Sequence, residues 1–328
     1  MSAVASKSIR PDRERPWREA FRPFRRRLRE RIPADEIRRL HRVRPARHFA
    51  VLARQLVLWA GGLWLAASST NPLLWVPGAT LCGLVVFDFT VLLHEVVHDA
   101  VFRRKNALAN RLLGLLYAFP VGISATQFTR WHLDHHDALG SDTGDPKRHH
   151  LSPKRNARLL KLLYATPALF PIYFRAAARE ASTYPAELRR TIARERLATV
   201  TGHLAILALV VGTLGWGVAF RAYLFPWFFV FPVFFTLNRL GQHYDIDPDD
   251  PAKWSTLVAP SAFWDRAFLW SNYHLEHHWY PRVPFYDLPR LHRLLRPVYA
   301  EIGLRPRTYG ELLRNWFVRN RPPHARWE

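Results

Sequence analysis

The sequence has 328 residues, 49% of them hydrophobic, and 48 Lys and Arg against 26 Asp and Glu give a net charge of +22. Such a charge alone suggests nucleic-acid binding. Here, however, basic segments alternate with apolar ones long enough to cross a bilayer, and the positive-inside rule explains the charge better. Because Cys82 is the only cysteine, an intrachain disulfide and a cysteine-held zinc or iron–sulfur cluster are excluded. We therefore expect a membrane protein with no nucleic-acid partner.

Four apolar segments approach the ~20 residues that cross a bilayer as a helix. They are residues 49–68, 73–93, 197–220 and 222–240. The turn at residues 69–72 is uncharged and the later turn has only Arg221, whereas nearly all other Lys and Arg lie at the opposite ends of the spans. Since positive charge accumulates in the cytoplasm, we predict an all-α membrane protein of four transmembrane helices in two hairpins, with both termini cytoplasmic.

Residues 49–297 would form the membrane domain, between a basic segment (1–48) and a basic tail (298–328). The shorter apolar runs at residues 111–128 and 159–174 are interrupted by proline or charge, and we expect interfacial or re-entrant pieces there. No apolar segment follows Met1, so no signal peptide is expected. In a bacterium, the protein would lie in the inner membrane.

Three histidine clusters stand beside these spans. They read HEVVH at residues 94–98, HLDHH at 132–136 and HLEHH at 274–278, and a lone His243 follows the last span. Residues three and four apart share one helix face, so each cluster would present its imidazoles together. Because both hairpins return to one side, the clusters would meet there in a cytoplasmic helical cap. Imidazole suits iron, zinc or copper, and so many ligands indicate more than one ion.

Two other classes of protein share parts of this pattern. HEVVH matches the HExxH motif of zinc proteases, but a zinc protease needs only one further protein ligand and would leave the other two clusters without a role. A metal transporter would place ionisable residues along a path through the membrane, whereas Asp88 is the only one at depth. We expect Asp88 to be either functional or a buried, hydrogen-bonded acid.

The segments HEVVHDA, WHLDHHDALGSDTGDP, NRLGQHYD and NYHLEHHWYPRVPFYDLPRLH resemble the membrane fatty acid desaturase superfamily over most of residues 49–297. In that family, histidine boxes hold a di-iron centre on the cytosolic side of a four-helix membrane domain. Acyl-CoA desaturases place an Asn four residues before the histidine after the last span; this sequence has Arg239 there and Asn238 one residue earlier. By motif, the resemblance implies nine catalytic iron ligands: His94, His98, His132, His135, His136, His243, His274, His277 and His278.

The resemblance also implies a function. It favours O₂-dependent desaturation of a fatty acyl chain, with two iron ions, over carotenoid ketolation or hydroxylation and over alkane hydroxylation. The tail after Pro297 has no haem-binding HPGG motif. The electrons are therefore expected from a separate ferredoxin or cytochrome b5-like carrier with its reductase, which would meet the basic face.

Other polar residues lead to smaller predictions. One or two acids within the boxes should orient the imidazoles through their second N–H group. The candidates are Asp99, Asp134, Asp137 and Glu276. Four further histidines are expected at the interface or surface: His41, His48, His292 and His324.

Overall fold

The structure, a computed structural model, describes residues 17–327, and this part of the chain contains helices and no β-strand. The all-α prediction is thus confirmed for the described residues. Residues 1–16, with the start of the basic segment and the expectation of no signal peptide, lie outside them. The chain begins with three short helices, α1 (Trp17–Ala20), α2 (Arg22–Arg31) and α3 (Ala34–Leu40).

Two long apolar helices follow, α4 (Pro45–Ser68) and α5 (Pro72–Val97). Proline suits the first turn of a helix, where its missing N–H group is not needed. Asn71 caps α5 by accepting a hydrogen bond from the amide of Leu73 at 3.0 Å. The two helices pack closely at Gly62 and Gly78, since a Cβ atom on Gly78 would lie 2.7 Å from the Gly62 carbonyl oxygen. Such close approach of small residues stabilises helix pairs in lipid.

The next two helices, α6 (Ala107–Val121) and α7 (Ala125–Asp137), meet at an angle of 97°. The bend begins at Gly122, whose φ of +80° favours glycine. Ser124 then caps α7, and the carboxylate of Glu195 accepts hydrogen bonds from the Ser124 hydroxyl (2.6 Å) and the Thr126 amide (3.0 Å). Negative charge at a helix N-terminus is stabilising. The contacts of Glu195 therefore fix the direction of α7, the helix that carries the HLDHH cluster.

A π-helical turn (Lys147–Leu151) and two helices, α8 (Arg158–Leu163) and α9 (Leu169–Ala181), lead to the last apolar stretch. This stretch comprises α10 (Ala186–Ala219), the π-helical turns Phe220–Leu224 and Pro226–Val230, and α11 (Phe231–His243).

Gly215 divides this stretch into two limbs, because its φ of +81° and ψ of 166° are not helical. The limbs lie side by side: His203 Nδ1 is 2.5 Å from the Tyr223 hydroxyl, whereas a straight helix would separate these residues by about 30 Å. The apolar pattern predicts the break at Arg221, six residues later. Arg221 does not mark the break; its side chain donates a hydrogen bond to the carbonyl of Ala66 at 3.1 Å. A hydropathy pattern registers the charge but not the left-handed backbone that glycine permits.

Three helical stretches of the described chain are long and apolar enough to cross a membrane, or four if the bent pair α6–α7 counts as one span. They are Pro45–Ser68, Pro72–Val97 and Ala186–His243. In the most apolar 18-residue segment of the last stretch, only 6% of the residues are buried inside the protein. The surface of this segment therefore requires an apolar solvent.

Asp88, at depth in α5, is fully buried and accepts a hydrogen bond from the Gln55 amide, as expected of a structural acid.

The remaining elements are called the cap here; among them, α13 (His274–Trp279) places His277 beside His94 at the end of α5 and His274 beside His243 at the end of α11. The described C-terminal tail packs onto this cap, because Lys161 Nζ donates to the carbonyls of Trp316 (3.0 Å) and Arg321 (2.7 Å) and Trp327 is buried. Pro297, the predicted domain boundary, lies inside a helix. The cap elements are the 3₁₀ turns Pro251–Lys253 and Phe285–Asp287, the helices α12 (Ala262–Ala267), α13 (His274–Trp279), α14 (Leu288–Glu301) and α15 (Tyr309–Leu313), and the π-helical turn Arg314–Val318.

Candidate metal centre

Nine histidines meet in two adjacent groups at the ends of α5 and α11 and on α7 and α13, and they are the nine that the sequence singled out. Within each group, one ligand nitrogen per residue lies within 4.8 Å of all the others. The five-histidine group consists of His94, His98, His132, His136 and His277. The four-histidine group consists of His135, His243, His274 and His278.

The nitrogen spacing in both groups suits metal binding. The Nε2 atoms of His98 and His132 are 2.8 Å apart, and those of His135 and His243 are 3.0 Å apart. Two imidazoles bound to one ion at right angles, through bonds of about 2.1 Å, would place their nitrogens about 3 Å apart. The rings of His136 and His278, one from each group, have centroids 4.3 Å apart. Each group can therefore hold one ion, and the two ions would be close neighbours.

The protonation state suits metal binding as well. Burial lowers the pKa of His274, His277 and His278 well below the usual value for histidine. These imidazoles are consequently neutral at neutral pH. Neutral imidazole is the form that offers a nitrogen lone pair to a metal.

A strained turn delivers the third box to the site. Leu269 and Trp270 have φ values of 46° and 59°, in the left-handed region that side chains disfavour. Asp265 stabilises the segment after this turn, because its carboxylate accepts hydrogen bonds from the Asn272 amide and the Tyr273 hydroxyl, both at 2.8 Å. Helix α13 begins at the next residue, His274, so Asp265 positions the box.

Two acceptors outside the boxes hold ligand histidines from behind. Asp145 Oδ1 lies 2.8 Å from His135 Nδ1, and the carbonyl of Trp254 lies 2.9 Å from His243 Nδ1. An acceptor at Nδ1 keeps the proton there and turns Nε2 toward the centre. Neither acceptor was predicted from the sequence. The signal available for Asp145 was the turn SDTGDP, four residues after the HLDHH cluster.

Two of the acids predicted for this role contact residues other than the nine histidines. Glu276 Oε1 accepts from the Tyr299 hydroxyl at 2.7 Å and faces Nδ1 of His292. Asp99 forms an ion pair with Lys105 at 2.8 Å. Glu276 thus contacts residues of α14, Asp99 contacts the segment between α5 and α6, and Asp134 forms an ion pair with Arg130.

Of the histidines expected at the interface or surface, His48 and His292 are instead buried, and His324 is half-buried. His48 is buried and lies 3.0 Å from the Tyr117 hydroxyl. His292 is buried against Glu276. His324 Nδ1 lies 3.0 Å from the carbonyl of His243. A single histidine carries no periodic pattern, so nothing local in the sequence indicates that these side chains pack inward.

A cavity of 120 Å³ opens beside the two groups. Its lining includes aromatic rings, among them Phe170, Phe174 and Phe231. Histidines of both groups, Asn238 and Arg239 line it as well. A mostly apolar cavity with a few polar groups suits a long aliphatic ligand.

Fold and site together define a helical membrane protein with a candidate two-ion histidine centre beside a mostly apolar cavity. Residues 70–310 match the family model described as fatty acid desaturase. This match covers more than half of the chain, and the protein belongs to the fatty acid desaturase family.

Individual relatives are more distant. The sphingolipid delta(4)-desaturase/C4-monooxygenase of Homo sapiens is 27% identical over 238 residues, which cover 67% of this chain and 64% of the relative. Its counterpart in Bos taurus is 25% identical over 257 residues, covering 73% and 70% of the two chains. The sphingolipid delta(4)-desaturase of Homo sapiens is 39% identical over 59 residues, 18% of either chain. The chain thus spans a little under two thirds of the first relative's length.

Proposed function

We propose that the protein is a membrane desaturase that introduces a double bond into a long-chain lipid. In balance, the CH₂–CH₂ unit, O₂, two electrons and two protons give CH=CH and two waters. The observation that carries this proposal is the pair of histidine groups, members of which line a largely aromatic cavity. The sequence favoured an acyl chain as substrate, and the relatives' names add sphingolipids, so a long-chain lipid is the class proposed.

The donor set fits two iron ions, one in each group. Imidazole suits iron, and the nine nitrogens exceed what one tetrahedral zinc ion would use. When bound, iron would supply the O₂-derived oxidising power that an unactivated methylene requires. The protein's own residues do the rest: Asp145 and the Trp254 carbonyl orient the imidazoles, while the cavity wall excludes water from the reacting carbons.

Metal analysis of the purified protein, together with product analysis, tests this function. We expect about two iron ions per chain, and a new double bond in a deuterium-labelled saturated lipid supplied with O₂ and a reduced electron carrier. The variant His149→Ala, which removes a histidine outside both groups, should match the unchanged protein. One zinc per chain with cleavage of peptides would instead support the protease alternative and contradict the proposal.

The electron donor is proposed to be a separate ferredoxin or cytochrome b5-like carrier, with its reductase, that binds over α2. Six of the ten residues of this helix are arginine. Trp17 and the helix lie directly on the site: the Trp17 ring is 6.0 Å from the His278 ring, and Phe24 packs on Trp279 with centroids 5.0 Å apart. An acidic carrier would be attracted to this basic surface close to the four-histidine group.

We also propose a topology of two hairpins, α4–α5 and the two limbs that meet at Gly215, with the cap and both termini in the cytoplasm and, in a bacterium, in the inner membrane. Cysteines introduced at Asn71 and Gly217 should then react with an impermeant thiol reagent from the non-cytoplasmic side. Those at His150, Asp250 and Arg319 should react only after permeabilisation. Cys82 is buried, which keeps background labelling low. Labelling of Asn71 and Gly217 from opposite sides would refute this arrangement.

A further inference from the structure

Arg239 is a buried cation without a protein counter-ion. It lies on α11, is only 8% exposed, and its Nε has no hydrogen-bond partner. Among the described residues, no carboxylate lies within ion-pair distance of it, and its guanidinium carbon lies 5.8 Å from the centroid of the Phe235 ring. Burying a charge without a partner is costly. The guanidinium is therefore expected to meet an acceptor that the protein itself does not provide.

The lining of the 120 Å³ cavity, to which Arg239 belongs, is short of negative charge. Lys147 lines the same cavity and adds a second basic side chain to it; its Nζ lies 3.1 Å from His132 Nδ1. Among the described residues that line the cavity, Glu95 is the only acid, and it accepts a hydrogen bond from the Phe285 amide at 3.0 Å. This part of the cavity suits a ligand group that accepts hydrogen bonds.

The neighbouring polar side chains, in contrast, bond to one another. Asn238 Nδ2 donates to the Ser271 hydroxyl and Gln242 Nε2 donates to Asn238 Oδ1, both at 2.8 Å. These bonds fix the wall beside the guanidinium. Beside these side chains, the guanidinium of Arg239 therefore has N–H donors that remain free to bind a ligand.

The position of Arg239 along α11 relates it to the reaction site. Phe231, Phe235, Arg239 and His243 are spaced by four residues and share one face of the helix. Arg239 therefore lies about one turn, ~5.4 Å, from His243 of the four-histidine group on one side and from the aromatic lining on the other. A ligand oxygen held by Arg239 is consequently only a few bonds from a carbon held at the histidines.

We propose that Arg239 binds an oxygen acceptor in the polar head of the substrate lipid and so presents the carbons next to that head, rather than the middle of the chain, for oxidation. The acceptor is a carbonyl, hydroxyl or carboxylate oxygen, which the planar fork of arginine binds through two hydrogen bonds. The inference rests on the proposed desaturase function and narrows its substrate to lipids oxidised near the head.

Binding measurements with three probes of equal chain length test this role. The probes are an N-acylated long-chain aminodiol, a fatty acid and an alkane, and titration calorimetry on the purified protein measures their binding. Because a hydrogen bond to a charged group is worth more than a neutral one, Arg239→Gln should weaken binding of a head-bearing probe by about tenfold or more. Alkane binding should not change. Arg239→Lys, which keeps the charge but not the fork, should be intermediate.

Arg221→Gln is the matched control, since it removes an arginine of the same helical stretch that bonds to Ala66. It should bind all three probes like the unchanged protein. A larger loss for the aminodiol than for the fatty acid identifies an amide or hydroxyl acceptor, and the reverse identifies a carboxylate. Equal weakening of all probes, no weakening, or a product oxidised in mid-chain would overturn the proposal. Arg239-dependent binding without any double bond would instead reject the desaturase function and leave the head-binding role intact.

Discussion

The variants His277→Ala and His274→Ala are each expected to reduce turnover to below about 1% of the unchanged protein, since loss of even an outer-shell partner typically costs about 10- to 100-fold. His277 belongs to the five-histidine group and His274 to the four-histidine group. Because each group would hold its own ion, each variant should also lose about half of the bound iron. Metal analysis and product formation measured on the same samples check both expectations.

His203→Gln is the control for these variants. His203 is partly buried and contacts Tyr223 and the carbonyl of Phe119, but it belongs to neither histidine group. Iron content and turnover should stay close to those of the unchanged protein. Near-normal turnover in variants of both groups would show that the imidazoles do not hold the reactive metals.

Replacement of Asp145 by asparagine is expected to lower metal affinity or turnover by about 10- to 100-fold. The buried carboxylate accepts from His135 Nδ1 at 2.8 Å and from the Lys147 amide at 2.9 Å. Asparagine has the same size but lacks the charge that makes His135 a stronger ligand. Competition with a metal chelator, followed by activity recovery on adding iron, separates weaker binding from slower turnover.

Asp142→Asn provides a matched control in the same turn. Asp142 is exposed, and its carboxylate pairs with Arg148 at 2.5 Å rather than with a box histidine. Its removal should leave chelator sensitivity unchanged. If the two variants respond alike, Asp145 serves the fold of the turn and not the histidine that it contacts.

The histidine groups could be found from sequence because helical spacing and apolar spans both carry local patterns. The spacing of HEVVH, HLDHH and HLEHH marks helix faces, and the paired spans bring His243 back to the same end. The partners of these histidines carry no such pattern. Asp145 reaches its histidine through a turn, and the Trp254 acceptor is a backbone carbonyl, which any residue type would provide.

The break in the last apolar stretch shows a different limit. Hydropathy placed it at Arg221, the only charge between residues 197 and 238, whereas the backbone turns at Gly215, where glycine adopts φ +81°. A lone glycine in an apolar helix is common, so its presence does not predict a break. Whether it adopts a non-helical conformation depends on how the two limbs pack. The burial of His292 against Glu276 has the same origin, because neighbouring elements determine it.

The four-histidine group joins His135, His243 and His278, which belong to three stretches far apart along the chain. Bringing such stretches together costs conformational entropy. An ion that binds only the assembled site stabilises the folded chain in proportion to its free energy of binding. Metal supply is therefore expected to govern the lifetime of the protein in the cell. A cell short of the metal would degrade the protein, and its activity would return only after new protein had been synthesised.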